Sequence, residues 1–160
     1  MRRTVFTVTM SLISSLASGA EEFADTLEEL PPQVASGAVA YLDECKSFGS
    51  SVSPTNKFIS TVDLNDDGAL DYLIDTNEIN APCFCGSGGC TIQAWVSDGG
   101  SYIKAFESNV RGWQVSPRAS LPPLLIVDLH GTACGGVGAD LCVKALVYQD
   151  GKLIGTTAGQ

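Results

Sequence analysis

The sequence predicts an α+β fold, mostly β: one N-terminal helix packed on an antiparallel meander sheet or small barrel and braced by disulfides. Three observations carry that expectation. A single stretch, residues 31–49, places apolar residues at helical spacing. From Lys57 onward the chain breaks into short β-branched and aromatic runs separated by turn residues, the pattern of strands joined by tight connections. Six cysteines, an even number, all stand at or beyond residue 45, as in a disulfide framework.

Residues 1–20 have the outline of a signal peptide. Arg2 and Arg3 precede a weakly apolar run from Thr4 to Leu16, and Ser18 and Ala20 are small enough for a cleavage site, which puts the expected mature start at Glu21. The run is shorter than the roughly 20 apolar residues of a spanning helix, so no membrane span is expected after cleavage. Residues 21–160 then form one disulfide-stabilised β-rich domain, with 21–32 as a lead-in. Pro31 and Pro32 suit a helix start, where an N–H has no partner to lose. Val34, Ala38, Tyr41, Leu42 and Cys45 follow a helical spacing, Gln33, Asp43 and Glu44 can face water, and Gly49 ends the helix.

Strands are expected near 57–63, 71–76, 90–97, 101–107, 111–115, 123–129, 142–148 and 152–156. Asp98, Gly99 and Gly100 form one hairpin turn, and Asp150 with Gly151 forms another. Strands linked so tightly run antiparallel.

Loss of residues 1–20 removes two arginines and no acid, leaving seven bases against eighteen acids, a formal charge of −11. Nucleic acid is therefore excluded as an expected partner. An acidic surface suits cations and basic proteins, and it also keeps a small exported domain soluble.

Six cysteines behind an export signal read as three disulfides, for which 15 pairings exist and sequence alone does not choose. Local geometry makes some pairings more plausible. Cys85 and Cys90 flank a four-residue Gly/Ser turn, and Cys134 and Cys142 bracket a glycine-containing loop. That leaves Cys45 for Cys83, a closure of the longest loop, with an expected stabilisation of roughly 3 to 4 kcal/mol.

Asp63, Asn65, Asp67, Gly68 and Asp71 stand in the order D-x-N-x-D-G-x-x-D, with Ala69 supplying a backbone carbonyl. Calcium takes oxygen ligands, and alternate residues of a tight loop turn theirs toward one centre, so Asp63, Asn65, Asp67, Ala69 and Asp71 are the expected calcium ligands. An EF-hand is not expected: the loop's twelfth position is Ile74, not glutamate, and its flanks read as strands. Without a metal, the same residues also form an ordinary acidic hairpin.

No catalytic set is legible. His130 is the only histidine and stands near Asp128 and Cys134, which makes a general base or a Cys–His pair conceivable. Cys134 is, however, expected in a disulfide. The paired C-x-x-C spacing of structural zinc is missing, as are a nucleophile elbow, a Walker loop and a dinucleotide fingerprint. Aromatic residues on strands read mainly as core. Arg111 and Trp113 are the one candidate binding surface, since the pairing is typical of interface hot spots.

The loop at 63–71 resembles those of FG-GAP, integrin-type repeats, in which a calcium-bound D-x-N-G-D-G-x-x-D turn joins two strands. The resemblance is confined to this loop and its flanks, and Asp66 replaces the usual glycine. Across most of the mature chain, Cys45, VDLNDDGALDY from Val62 to Tyr72, CGSGGC from Cys85 to Cys90, VRGW from Val110 to Trp113, and LHGTACG from Leu129 to Gly135 resemble a group of small exported alphaproteobacterial proteins. That resemblance implies a periplasmic or secreted setting and the disulfide pairing above, and it brings no activity or ligand. The expected function is therefore a non-enzymatic exported domain that binds calcium structurally and meets a protein or cell-envelope partner. The alternatives are a periplasmic inhibitor or immunity protein of a basic hydrolase, and a hydrolase using His130.

Overall fold

The computed structural model describes residues 27–155; the expected signal peptide and its cleavage site lie outside the described residues. Helix α1, Pro32–Ser47, starts with Pro32 in its first turn and buries Val34, Ala38, Tyr41, Leu42 and Cys45, the stripe expected from the sequence. Gly49, at φ +78°, lies just past its end, in the left-handed conformation that glycine adopts without a Cβ clash.

Among the described residues nine strands follow: β1 (Ile59–Val62), β2 (Asp71–Asp75), β3 (Cys85–Gly86), β4 (Gly89–Asp98), β5 (Ser101–Val110), β6 (Gly112–Arg118), β7 (Leu121–Leu129), β8 (Cys142–Gln149) and β9 (Lys152–Gly155). Eight were expected within a few residues. The ninth, β3, is only two residues long and comes from the Gly/Ser turn, which sequence alone reads as loop. All pairings are antiparallel.

The strands divide between two sheets. In the first, β4 is the spine and pairs with β2, β3 and β5, while β1 lies outside β2; in the second, β6 to β9 form a meander in chain order. Between β5 and β6 stands Arg111 alone, so the chain passes from one sheet to the other in a single-residue corner.

Period-two alternation gives the first sheet two buried faces. Leu73, Ile92, Ala94, Val96, Ala105 and Val110 pack against Leu125, Val127, Leu146 and Leu153 of the second sheet. On the opposite face Ile74, with Tyr72 and Trp95, packs beneath Val34, Ala38, Tyr41, Leu42 and Cys45 of α1. The layers are therefore helix, sheet and sheet. Each fully buried aliphatic side chain contributes about 1.5–3 kcal/mol from leaving water.

A polar network fastens the helix. Gln93 Nε2 donates to the Tyr41 hydroxyl at 3.0 Å, Tyr41 donates to Glu107 at 2.9 Å, and Trp95 Nε1 donates to Gln93 at 2.8 Å. Burial, reinforced by the Glu107 carboxylate, pushes the Tyr41 phenol well above its ordinary value. Three disulfides join Cys45 to Cys83, Cys85 to Cys90 and Cys134 to Cys142. The first ties α1 to the segment leading into β3, across a separation of 38 residues.

Candidate functional site

Two sites grow out of this frame. The first is the β1–β2 connection. Asp63 accepts backbone N–H bonds from Asp66 at 2.7 Å, Asp67 at 3.3 Å and Gly68 at 2.9 Å, which folds the loop back on its first residue. Asp67 accepts from the Ala69 N–H at 2.8 Å, from the Asn65 amide at 2.9 Å and from the Ser97 hydroxyl at 2.7 Å. Asp71 is fully buried, and its two oxygens accept from the N–H groups of Leu64 at 2.6 Å and Ser97 at 2.8 Å. The loop is thus anchored to β4 through Ser97, which also lends its carbonyl to Asn65.

These contacts separate the acids. The Ser97 hydroxyl, with the Ala69 N–H and the Asn65 amide, holds the Asp67 carboxyl below its ordinary range. Burial pushes Asp71 up, against the hydrogen bonds from Ser97 and Leu64. Asp66 lies at φ +62° and Gly68 at +83°; Asp66 therefore occupies a left-handed position, where a Cβ is a burden.

The donor set at this loop is all oxygen, which is the chemistry a hard cation requires. Asp63, Asn65, Asp67 and the Ala69 carbonyl lie on the loop itself, and Asp71 anchors it from beneath. Among the described residues, no group of three or more His, Cys, Asp or Glu side chains is gathered so as to hold a metal ion. The loop closes through its own N–H donors.

The second site surrounds the single-residue corner between the sheets. A cleft of about 320 Å³ is lined by Asp75, Asn77, Ser87, Cys90, Arg111 and Trp113 among others. Trp113 Nε1 donates to Asp75 at 2.8 Å, linking β6 of the second sheet to β2 of the first; the other Asp75 oxygen accepts from the Asn77 N–H at 2.9 Å.

The guanidinium of Arg111 reaches both small disulfide loops. Its Nε and Nη2 donate to the Ser87 carbonyl at 3.3 Å each, Nη1 donates to Asp140 O at 3.2 Å, and Nη2 also donates to Gly138 O. Loop 85–90 and loop 134–142 are therefore each closed by a disulfide and cross-linked to each other by one cation. Gly89, at φ +93°, sits so near the Val110 carbonyl that a Cβ would stand 1.8 Å from its oxygen, so this approach requires glycine. Arg111 and Trp113, picked out together by sequence, share the cleft, but Arg111 spends its donors on its own chain's carbonyls and is a cross-link as much as a surface.

His130 Nδ1 pairs with the Thr132 hydroxyl at 2.8 Å, not with Asp128, and Cys134 is bonded to Cys142. The structure does not bring these three together as a catalytic set. One oxygen of Asp128 is buried without a hydrogen-bond partner. Ser97 and the Gly138 and Asp140 carbonyls went unseen in the sequence. The serine has no spacing relation to the loop it organises, and carbonyls carry no side-chain signature. No family model, curated protein or solved structure matches the chain.

Proposed function

We propose that the protein is an exported, non-enzymatic binding domain of the periplasm or extracellular space. On this reading the signal peptide is removed after Ala20. The loop at 63–71 takes calcium in a structural role through Asp63, Asn65, Asp67, Ala69 and Asp71, and the end bearing Arg111 and Trp113 meets a protein or cell-envelope partner. The observation that carries it is the Arg111 cross-link between two disulfide-closed loops. A surface ordered before its partner arrives loses little entropy on binding, which is what a recognition surface needs.

Three disulfides fit oxidising, extracytoplasmic surroundings. Among the described residues no helix is long and apolar enough to cross a membrane. The acidic charge favours a basic partner. An inhibitor or immunity protein of a basic hydrolase is the sharper version. It is supported by the exposed Val137 and Leu141 on the braced loop 134–142, two apolar side chains on a rigid tip. A hydrolase using His130 draws the least support, because its expected thiol partner is consumed in a disulfide.

Calorimetric titration of calcium into the oxidised, chelator-stripped protein tests the cation. Saturable heat with a rise in melting temperature, both absent in Asp67→Ala, is expected; no heat refutes it. Capture from periplasmic extract on immobilised protein, compared with an Arg111→Met surface, tests the partner. Failure to recover any protein at low or at high salt sinks the binding role.

A further inference from the structure

Burial divides the three disulfides. Cys45 is fully buried in the core beneath the helix, and Cys142 is 1% exposed; their partners Cys83 and Cys134 are half-buried and exposed. In the remaining pair Cys85 is exposed and Cys90 half-buried. Exchange proceeds by attack of a thiolate on one sulfur while the other leaves as a thiolate. Attack from solvent on Cys83 or Cys134 expels Cys45 or Cys142 into surroundings that exclude water, where an unpaired charge is costly. Attack on Cys85 expels Cys90, which lines the open cleft beside Arg111 and Trp113.

Approach and return are both provided for. Gly86, next to Cys85, has nothing within 4 Å of where a Cβ would stand, and Ser87 is exposed, so no side chain screens the bond from that side. Cys90 Sγ lies 3.5 Å from Asn77 Oδ1, an acceptor for its S–H once the sulfur takes a proton. The loop closes over a sequence separation of 5, against 8 and 38 for the others, so opening it releases the least chain entropy. Other contacts hold the hairpin meanwhile: Gly86 pairs with Gly89, and Ser87 O stays on Arg111. That register keeps Cys85 opposite Cys90, so the two thiols remain neighbours and the bond can re-form.

We propose that Cys85–Cys90 is a reversible thiol–disulfide exchange site, open to a dithiol reductant while Cys45–Cys83 and Cys134–Cys142 stay oxidised. One thiolate of the dithiol attacks Cys85 Sγ. A mixed disulfide forms as the Cys85–Cys90 bond breaks, and Cys90 leaves as a thiolate that takes a proton from water. The second thiolate of the reductant then attacks its own sulfur in the mixed disulfide, and Cys85 leaves in the same way. Two electrons pass to the cysteines, and the dithiol becomes a disulfide.

The test treats the oxidised protein with graded dithiothreitol, traps free thiols with N-ethylmaleimide and maps them by peptide mass spectrometry, with circular dichroism followed in parallel. Cys85 and Cys90 should be labelled together, roughly tenfold or more faster than the other four cysteines, because their leaving thiolate alone reaches water. The fold should be unchanged at that stage, and oxidised dithiothreitol should restore the bond. With 2-mercaptoethanol the trapped mixed disulfide should sit on Cys85. The double variant Cys85→Ala, Cys90→Ala should remain folded and lose the fast phase of thiol release. Release of all six thiols together, or of Cys134 and Cys142 first, overturns the inference. A Cys85–Cys90 bond that resists until the chain unfolds overturns it as well, as does a fast phase that survives in the double variant.

Discussion

Asp66 offers a prediction whose sign runs against the usual effect of mutation. It occupies the left-handed region at φ +62°. For an L-residue that conformation costs roughly 1–2 kcal/mol relative to the right-handed one, toward the low end for aspartate, which tolerates it better than most. Glycine has no such cost but gives up about 0.5–1 kcal/mol more backbone entropy on folding. Asp66→Gly also removes one of four acids crowded between residues 63 and 71, and the relief of their repulsion has the same sign. The bond from the backbone N–H of residue 66 to Asp63 is retained. The variant should be more stable by roughly 0.5–1 kcal/mol, about 2–4 °C in Tm for a domain of this size. Asp66→Ala, with a Cβ and without aspartate's tolerance, should be less stable than the parent. Urea unfolding in excess chelator reads both, with the midpoint moving and the slope unchanged. A glycine variant no more stable than the parent, or an alanine variant equal to it, would refute the reasoning that this dihedral limits the loop.

Replacing Cys45 and Cys83 together by Ala should cost roughly 4 kcal/mol, the loop entropy of a 38-residue closure, measured by denaturant unfolding of oxidised protein. Arg111→Met should raise amide exchange at residues 86–89 and 136–140 while leaving Ile92 to Val96 protected; Lys should not rescue, since one ammonium cannot reproduce the guanidinium fork that spans three carbonyls. Tyr41 has a folded pKa raised above the unfolded value of 10.0. The stability held by its neutral phenol is complete below pH 10 and is lost as pH rises from there toward the folded value. Unfolding free energies measured across that window should fall with pH in the parent and fall less in Tyr41→Phe, which itself loses roughly 1–2 kcal/mol near neutrality by leaving Gln93 and Glu107 a partner short.

The helix was legible because its signal is local. Val34, Ala38, Tyr41, Leu42 and Cys45 mark one face by spacing alone, and prolines and a glycine mark its ends. The strands of hairpins 89–110 and 142–155 were equally plain, since Gly99, Gly100 and Gly151 all adopt the positive φ that their turns require. Strand β3 was hidden because two residues at a glycine turn have no periodicity to display. At the loop, the acids could be read from the sequence but not their division of labour. Asp67 and Asp71 look alike in a motif, yet one stays on the surface below its ordinary carboxyl range and the other is buried and pushed above it.

By itself the sequence determined the fold class, the helix face, the turns and a plausible set of cysteine pairs, because those follow from side-chain spacing and short-range chain geometry. Only the tertiary structure decided that the strands split into two sheets at Arg111, that Ser97 would anchor the acidic loop from the far end of β4, and that one guanidinium would join two disulfide loops. The physical reason is common to all three. They depend on backbone groups and surfaces brought together from positions 24 to 32 residues apart, and a carbonyl oxygen or a sheet edge is the same for every amino acid, so it leaves no mark on the sequence.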